Sequence, residues 1–258
     1  MVTPTGPWLQ VLRSASDSPA QRLLVFPPSG SGPATLGPLL RGIHRSVEVV
    51  GVVLPGRGAR IGEAPNTCVD AVLEAVESEL ARHRRLPTLV FGHSLGGLLA
   101  ALAADRLAGN VAALVISGSD PATREGHPSR TVDELIAAAG VTTPDVLADA
   151  EWRGHLHAVM QADLTLAAEA RARLSGVRID VPVTVLGGTR DPLVSEQALA
   201  DWQTHTSRPI RIRLFDEGHF FLLADEHIDC IAALLTLPPR CSVPAARPVS
   251  SPDGVSSR

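Results

Sequence analysis

Ser94 is the residue in this chain best placed to act as a nucleophile. It stands in Gly92-His93-Ser94-Leu95-Gly96, between an apolar run, Thr88 to Phe91, and a helix-forming run from Leu98 to Leu107. A serine on a sharp strand-to-helix turn is lifted above a sheet edge, where the free N–H groups of the helix start surround it. Such a turn needs neighbours almost without side chains, which Gly92 and Gly96 supply. The N–H of Leu95 would point at the oxygen of an attacked carbonyl. A serine hydroxyl also needs an adjacent base, and the base an orienting acid. His219, in Gly218-His219-Phe220-Phe221, follows the alternating run Ile210 to Phe215. Asp191, in Gly188-Thr189-Arg190-Asp191-Pro192-Leu193, follows the run Val181 to Gly187. His219 would accept the Ser94 proton and pass it to the leaving group, while Asp191 fixes the imidazole tautomer. Asp120 also follows a strand-like run, Val111 to Ser117, and is the rival acid. Loop context and the chain order Ser…Asp…His favour Asp191.

These residues reach one place only if the elements around them alternate. Strand-like runs (Gln21–Phe26, Val47–Leu54, Thr88–Phe91, Val111–Ser117, Val181–Gly187, Ile210–Phe215) are separated by helical patterns, among them Ala34–Leu40, 66–85, Ser195–His205 and Asp225–Leu237. This alternation predicts an α/β architecture, a mostly parallel sheet with helices on both faces. Its functional edge is the carboxyl end of the strands, and the order of the three residues is that of the α/β-hydrolase fold. The loop Pro27-Pro28-Ser29-Gly30-Ser31-Gly32 after the first strand is where this fold keeps a second oxyanion donor. Pro28 has no N–H, so Ser29 or Gly30 would serve. Pro55-Gly56-Arg57-Gly58-Ala59-Arg60 reads as an exposed loop whose arginines would meet an acidic surface or, equally, form structural salt bridges. Residues 122–176 carry helical segments (Val132–Ala139, Pro144–Ala150, Glu151–Arg173) and no strand, which reads as a helical lid insertion over the catalytic edge. Trp152, Leu156, Met160 and Leu164 follow helical spacing and would form a packed stripe or line an acyl pocket. Residues 1–20 read as a loose lead-in, 21–237 as the catalytic domain and 238–258 as a disordered tail.

Composition narrows the function classes. With 258 residues, 45% of them hydrophobic, the chain can bury the core of one large α/β domain. A net charge of −4 and a pI of about 6.1 give no basic field for nucleic acid. No apolar stretch approaches the ~20 residues of a membrane span. Cys68, Cys230 and Cys241 are scattered, which suits a reducing cytoplasm and neither a disulfide framework nor a metal site. His155 and His157 are two apart and share no helix face, so no metal is expected there, and no cofactor is called for.

The chain resembles the type II thioesterases that accompany polyketide synthases and non-ribosomal peptide synthetases. The resemblance covers roughly residues 20–237 and rests on Phe26-Pro27, Pro55-Gly56-Arg57-Gly58, Gly92-His93-Ser94-Leu95-Gly96, Gly187 to Val194 and Gly218-His219-Phe220-Phe221-Leu222. It implies a stand-alone, monomeric serine hydrolase that cleaves acyl thioesters from the phosphopantetheine arm of acyl or peptidyl carrier proteins. It also implies that Asp191 is the acid and that Ser29 and Leu95 supply the oxyanion N–H groups. The first loop departs from the family's Phe-Pro-His-Ala-Gly-Gly, since Pro28 and Ser29 replace His and Ala. The acidic surface of a carrier would find cations at Arg57, Arg60 or the lid arginines. A carboxylesterase on the same triad, and a catalytically silent carrier-binding module, are the alternatives. Oxygen-ester turnover would mark the first, and failure of Ser94 to react with a fluorophosphonate the second.

Overall fold

The computed structural model describes residues 6–14, 19–122, 131–139 and 149–237. Its centre is a seven-stranded sheet in the order β1-β3-β2-β4-β5-β6-β7. The strands are β1 (Leu9–Arg13), β2 (Gln21–Phe26), β3 (Val47–Val52), β4 (Thr88–His93), β5 (Val111–Ser117), β6 (Val183–Gly188) and β7 (Arg211–Phe215). β2 to β7 run parallel, and β1 pairs antiparallel with β3 at one edge. The chain passes from β2 outward to β3 and then back across to β4, so the loops after β2 and β4 diverge and open a crevice between them.

The apolar runs are continuous because helices cover both faces. Leu24 and Phe26 of β2 turn to one side, with Val90, Leu114 and Val185, and pack against α2 (Val69–Leu80) and α3 (Leu95–Arg106). Leu23 and Val25 turn to the other, with Phe91, Val115 and Leu186. There they meet α1 (Gly37–Arg41) and α7 (Asp225–Leu234). Between β5 and β6 come α4 (Val132–Ala139) and the long α5 (Ala150–Leu174), and between β6 and β7 comes α6 (Glu196–Ala200), continued by a 3-10 turn to His205. No helix among the described residues is long and apolar enough to cross a membrane.

Three expectations change. The supposed lead-in contains β1, because the Trp8 and Leu9 N–H groups both donate to the Glu79 carboxylate at 2.9 Å, and the edge of β3 offers free main-chain partners to Leu9–Arg13. The 122–176 segment is a lid only in part. Met160 packs with Val132 and Ile136 of α4 in a small separate cluster, while Leu166, Ala167, Ala170 and Leu174 of α5 belong to the main core. The second half of α5 is further pinned by a bidentate Arg173–Asp70 pair and by Arg171 Nε on the Asp120 carbonyl. Third, Trp152 is 52% exposed and does not join the packed stripe. Cys241, the tail 238–258 and most of the helix expected over Pro144–Ala150 lie outside the described residues.

Candidate active site

The elbow forms because β4 runs straight into α3 with one residue to turn on. Ser94 has φ 55° and ψ −122°, the one positive φ on a non-glycine residue among those described. That conformation costs a residue with a Cβ roughly 1–3 kcal/mol. It is held by the Ser94 N–H donating to the Ser117 carbonyl at 2.8 Å and by the Gly97 N–H closing onto the Ser94 carbonyl at 2.9 Å. A Cβ on Gly92 would overlap the Gly96 carbonyl, and one on Gly96 would overlap the carbonyl of Phe26 and lie 2.7 Å from that of Pro27. Gly96 therefore admits the loop after β2 against the first turn of α3, beside the Leu95 N–H. Gly96→Ala should cost about 3 kcal/mol or more, since main chain and not a flexible side chain blocks the methyl. Thermal unfolding checks this, with Gly109→Ala as the control, where the added Cβ meets nothing within 4 Å.

Asp191 and His219 meet as their spacing predicts. The His219 Nδ1–H donates to Asp191 Oδ2 at 2.7 Å, and both side chains are buried. Asp191 Oδ1 accepts the N–H groups of Leu193 at 2.8 Å and Val194 at 3.2 Å, so the carboxylate is fixed from its own loop. The two loops are drawn together by main-chain bonds, Thr189 N–H to Phe215 O at 2.8 Å and Arg190 N–H to Glu217 O at 3.0 Å. Gly188 lets the strand end touch the Glu217 and Gly218 carbonyls. The rival Asp120 bonds within its own turn, where Oδ1 takes the Ala122 N–H at 2.8 Å. Asp216 and Glu217 face Arg190.

His93 is fully buried behind His219, with ring centroids 4.7 Å apart and Phe220 at 5.0 Å. Its Nδ1 lies 3.0 Å from the Ser117 hydroxyl, and its Nε2 is a buried nitrogen without a hydrogen-bond partner. Burial, and after it repulsion from His219, hold this imidazole well below its ordinary range, against a hydrogen bond to Ser117 that favours the charged form. The unfolded chain takes up a proton near pH 6.5 that the folded chain refuses. Stability contributed by neutral His93 is thus complete above that pH and falls as pH drops below it, by at most about 1.4 kcal/mol per pH unit. Urea unfolding at pH 7.5 and 5.5 should show a loss in the native chain that is about 1 kcal/mol larger than in His93→Gln.

The loop after β2 places its donors unequally. The Gly30 N–H, at φ 74°, donates to Asp163 Oδ2 at 2.8 Å, which leaves Ser29 as the loop's candidate oxyanion donor. Asp163 lies on α5, is 1% exposed, and also accepts both terminal nitrogens of Arg57, Nη1 at 2.7 Å and Nη2 at 2.8 Å. Arg57 is 5% exposed and Arg60 2%. Arg60 pairs with Glu63 at 2.6 Å and lies 3.8 Å over the Trp8 ring. The structural reading of these two arginines is therefore the right one, and neither can reach an acidic partner surface. Sequence reasoning missed Asp163. Its signal was a single carboxylate within the apolar stripe Val159, Met160, Leu166, Ala167 and Ala170 of α5. His155 binds the Gly56 carbonyl through Nε2 at 2.8 Å and stacks edge-on against Trp152.

The chain is similar to known proteins in sequence and fold. The thioesterase domain family model matches residues 21–236. A protein named "Probable cadicidin biosynthesis thioesterase" from Streptomyces griseus is 29% identical over 93% of this chain and 68% of its own length. Phenyloxazoline synthase MbtB of Mycobacterium tuberculosis is 30% identical over 89% of this chain, which spans only 17% of that longer protein. Among solved structures, the type II thioesterase BorB from the borrelidin biosynthetic cluster superposes with a TM-score of 0.74 at 28% identity, covering 88% of this chain and 96% of BorB. A seven-stranded α/β sheet, a strained serine at its centre and a family match across nearly the whole described chain agree, and the chain belongs to the thioesterase domain family.

Proposed function

We propose that this protein is a serine thioesterase that hydrolyses acyl groups from the phosphopantetheine arm of carrier proteins, in the manner of the type II enzymes of polyketide and non-ribosomal peptide pathways. The observation that carries the reading is the buried His219–Asp191 pair at 2.7 Å, at the same strand edge as the strained Ser94. The similarity to the biosynthetic thioesterases supports the substrate class.

In this reading Ser94 Oγ attacks the thioester carbonyl while His219 Nε2 takes its proton. The N–H groups of Leu95 and Ser29 receive the developing oxyanion. His219 then protonates the departing thiolate, and the phosphopantetheine thiol leaves. Water, deprotonated by the same nitrogen, attacks the acyl-enzyme, and the free acid departs as the proton returns to Ser94. Asp191 keeps its charge throughout and stabilises the imidazolium. The acyl chain runs beneath the first half of α5, where Leu156 and Met160 overhang Gly30. The carrier meets a surface other than the buried Arg57 and Arg60.

The test compares hydrolysis of one acyl group as a phosphopantetheinyl thioester and as an oxygen ester. Thioester turnover at least tenfold more efficient, with fluorophosphonate labelling confined to Ser94, supports the reading. Equal or better oxygen-ester turnover would replace it with a carboxylesterase.

A further inference from the structure

We propose that Asp163 is a positioning residue for the oxyanion hole, acting from the core-anchored part of α5 through the loop that carries Ser29. This rests on the thioesterase reading above. A carboxylate 1% exposed within the apolar face of a helix is expensive unless it is paired. Arg57 neutralises it with a two-pronged contact, and the Arg57 Nε in turn donates to Pro55 O at 3.2 Å, so the guanidinium is fixed in its own loop. One of the two Asp163 oxygens, Oδ2, also receives the Gly30 N–H.

The consequence lies in where the loop is held. At its start, the carbonyls of Phe26 and Pro27 press against Gly96 of the elbow. At its end, Gly30 is in a left-handed conformation, packed so closely under α5 that a Cβ would come within 2.7 Å of Met160 Sδ. Ser29 lies between these two clamps. An ordinary loop would leave its amides to solvent, and the two prolines here fix only the first half. Asp163 takes the Gly30 amide away from the site and so sets the orientation of the neighbouring Ser29 peptide. It thereby joins three parts of the chain, the oxyanion loop, the Pro-Gly-Arg-Gly loop and the core-anchored part of α5, into one unit.

Two double variants separate this role from simple stability. Arg57→Met with Asp163→Asn removes the charge pair and keeps a carbonyl for Gly30. Arg57→Met with Asp163→Leu removes the pair and the acceptor together. Loss of a buried ion pair as a unit is tolerated far better than loss of one partner, and thermal unfolding verifies that both fold. The leucine form should have a kcat about 10- to 100-fold below that of the asparagine form, below the full loss from deleting a donor because Ser29 is displaced and not removed. KM should differ less than about threefold between them. Affinity for a trifluoromethyl ketone of the same acyl chain, which forms a tetrahedral oxyanion on Ser94, should fall in parallel with kcat. Asp163→Glu is a second variant if the leucine form does not fold. It keeps the charge, moves the acceptor by one methylene, and should lower kcat with KM held. Equal kcat in the two doubles, or native kcat in Asp163→Glu, overturns the proposal. Failure of the thioesterase reading would look different, as oxygen-ester turnover in the native enzyme that equals or exceeds thioester turnover.

Discussion

Ser94→Ala should lower kcat for thioester hydrolysis by about 10⁵- to 10⁶-fold, the scale on which serine hydrolases lose rate when the nucleophile goes. KM should stay within a few-fold, because the hydroxyl makes no large contribution to holding the acyl chain. The fold should survive intact. The Ser94 main chain is fixed by its bonds to Ser117 and Gly97, and neither uses the hydroxyl. A companion variant separates chemistry from strain. Ser94→Gly abolishes the same activity and should raise stability by about 1 kcal/mol relative to Ser94→Ala, because glycine adopts φ 55° without the cost a Cβ imposes. Steady-state kinetics and thermal unfolding of the pair check both halves. Higher stability in the glycine variant than in the alanine variant is the signature of a strained backbone at a residue kept for its function.

Asp191→Asn should lower kcat by about 10⁴-fold with little change in stability, and the reason lies in two hydrogen bonds that have nothing to do with catalysis. Asp191 Oδ1 accepts two main-chain N–H groups, from Leu193 and Val194. In an asparagine, the carbonyl oxygen must stay with those two donors, so the amide NH₂ turns toward His219. An NH₂ cannot accept the Nδ1–H that Asp191 Oδ2 now accepts at 2.7 Å. The imidazole responds by moving its proton to Nε2, the nitrogen that has to be bare to accept from Ser94. Fluorophosphonate labelling of Ser94, which needs the same base, should slow in proportion. Asp120→Asn is the control, and since Asp120 bonds its own turn it should leave kcat within about threefold of the native value.

The placement of Ser94, Asp191 and His219 at one sheet edge was legible because each of them announces itself locally. Ser94, Asp191 and His219 each follow a β run directly, and a parallel sheet gathers such positions at one edge. Arg57 was illegible for the opposite reason. Pro-Gly-Arg-Gly has the residues of an exposed turn, and what buries Arg57 is a partner 106 positions away on another helix. Spacing along a chain carries no record of a pairing at that distance. Asp163 left a faint trace, one acid in an apolar stripe, which periodicity smooths over. Trp152 matched the stripe Leu156, Met160, Leu164 in spacing but stays out of their cluster with α4 and is exposed, touching His155 instead. β1 went unread because Leu9-Gln-Val-Leu-Arg is short and half exposed, and only the open edge of β3 makes a strand of it.

The most direct measurement is single-turnover release of an acyl group from a phosphopantetheine-loaded carrier protein, beside release of the same acyl group from a simple thiol, with Ser94→Ala as the control in both. Release from the carrier that is faster by an order of magnitude or more, and absent in the variant, is the predicted result, and it makes the carrier itself part of the substrate. Equal rates from carrier and simple thiol, or release that persists without Ser94, would contradict the claim that this site is built for carrier-bound thioesters.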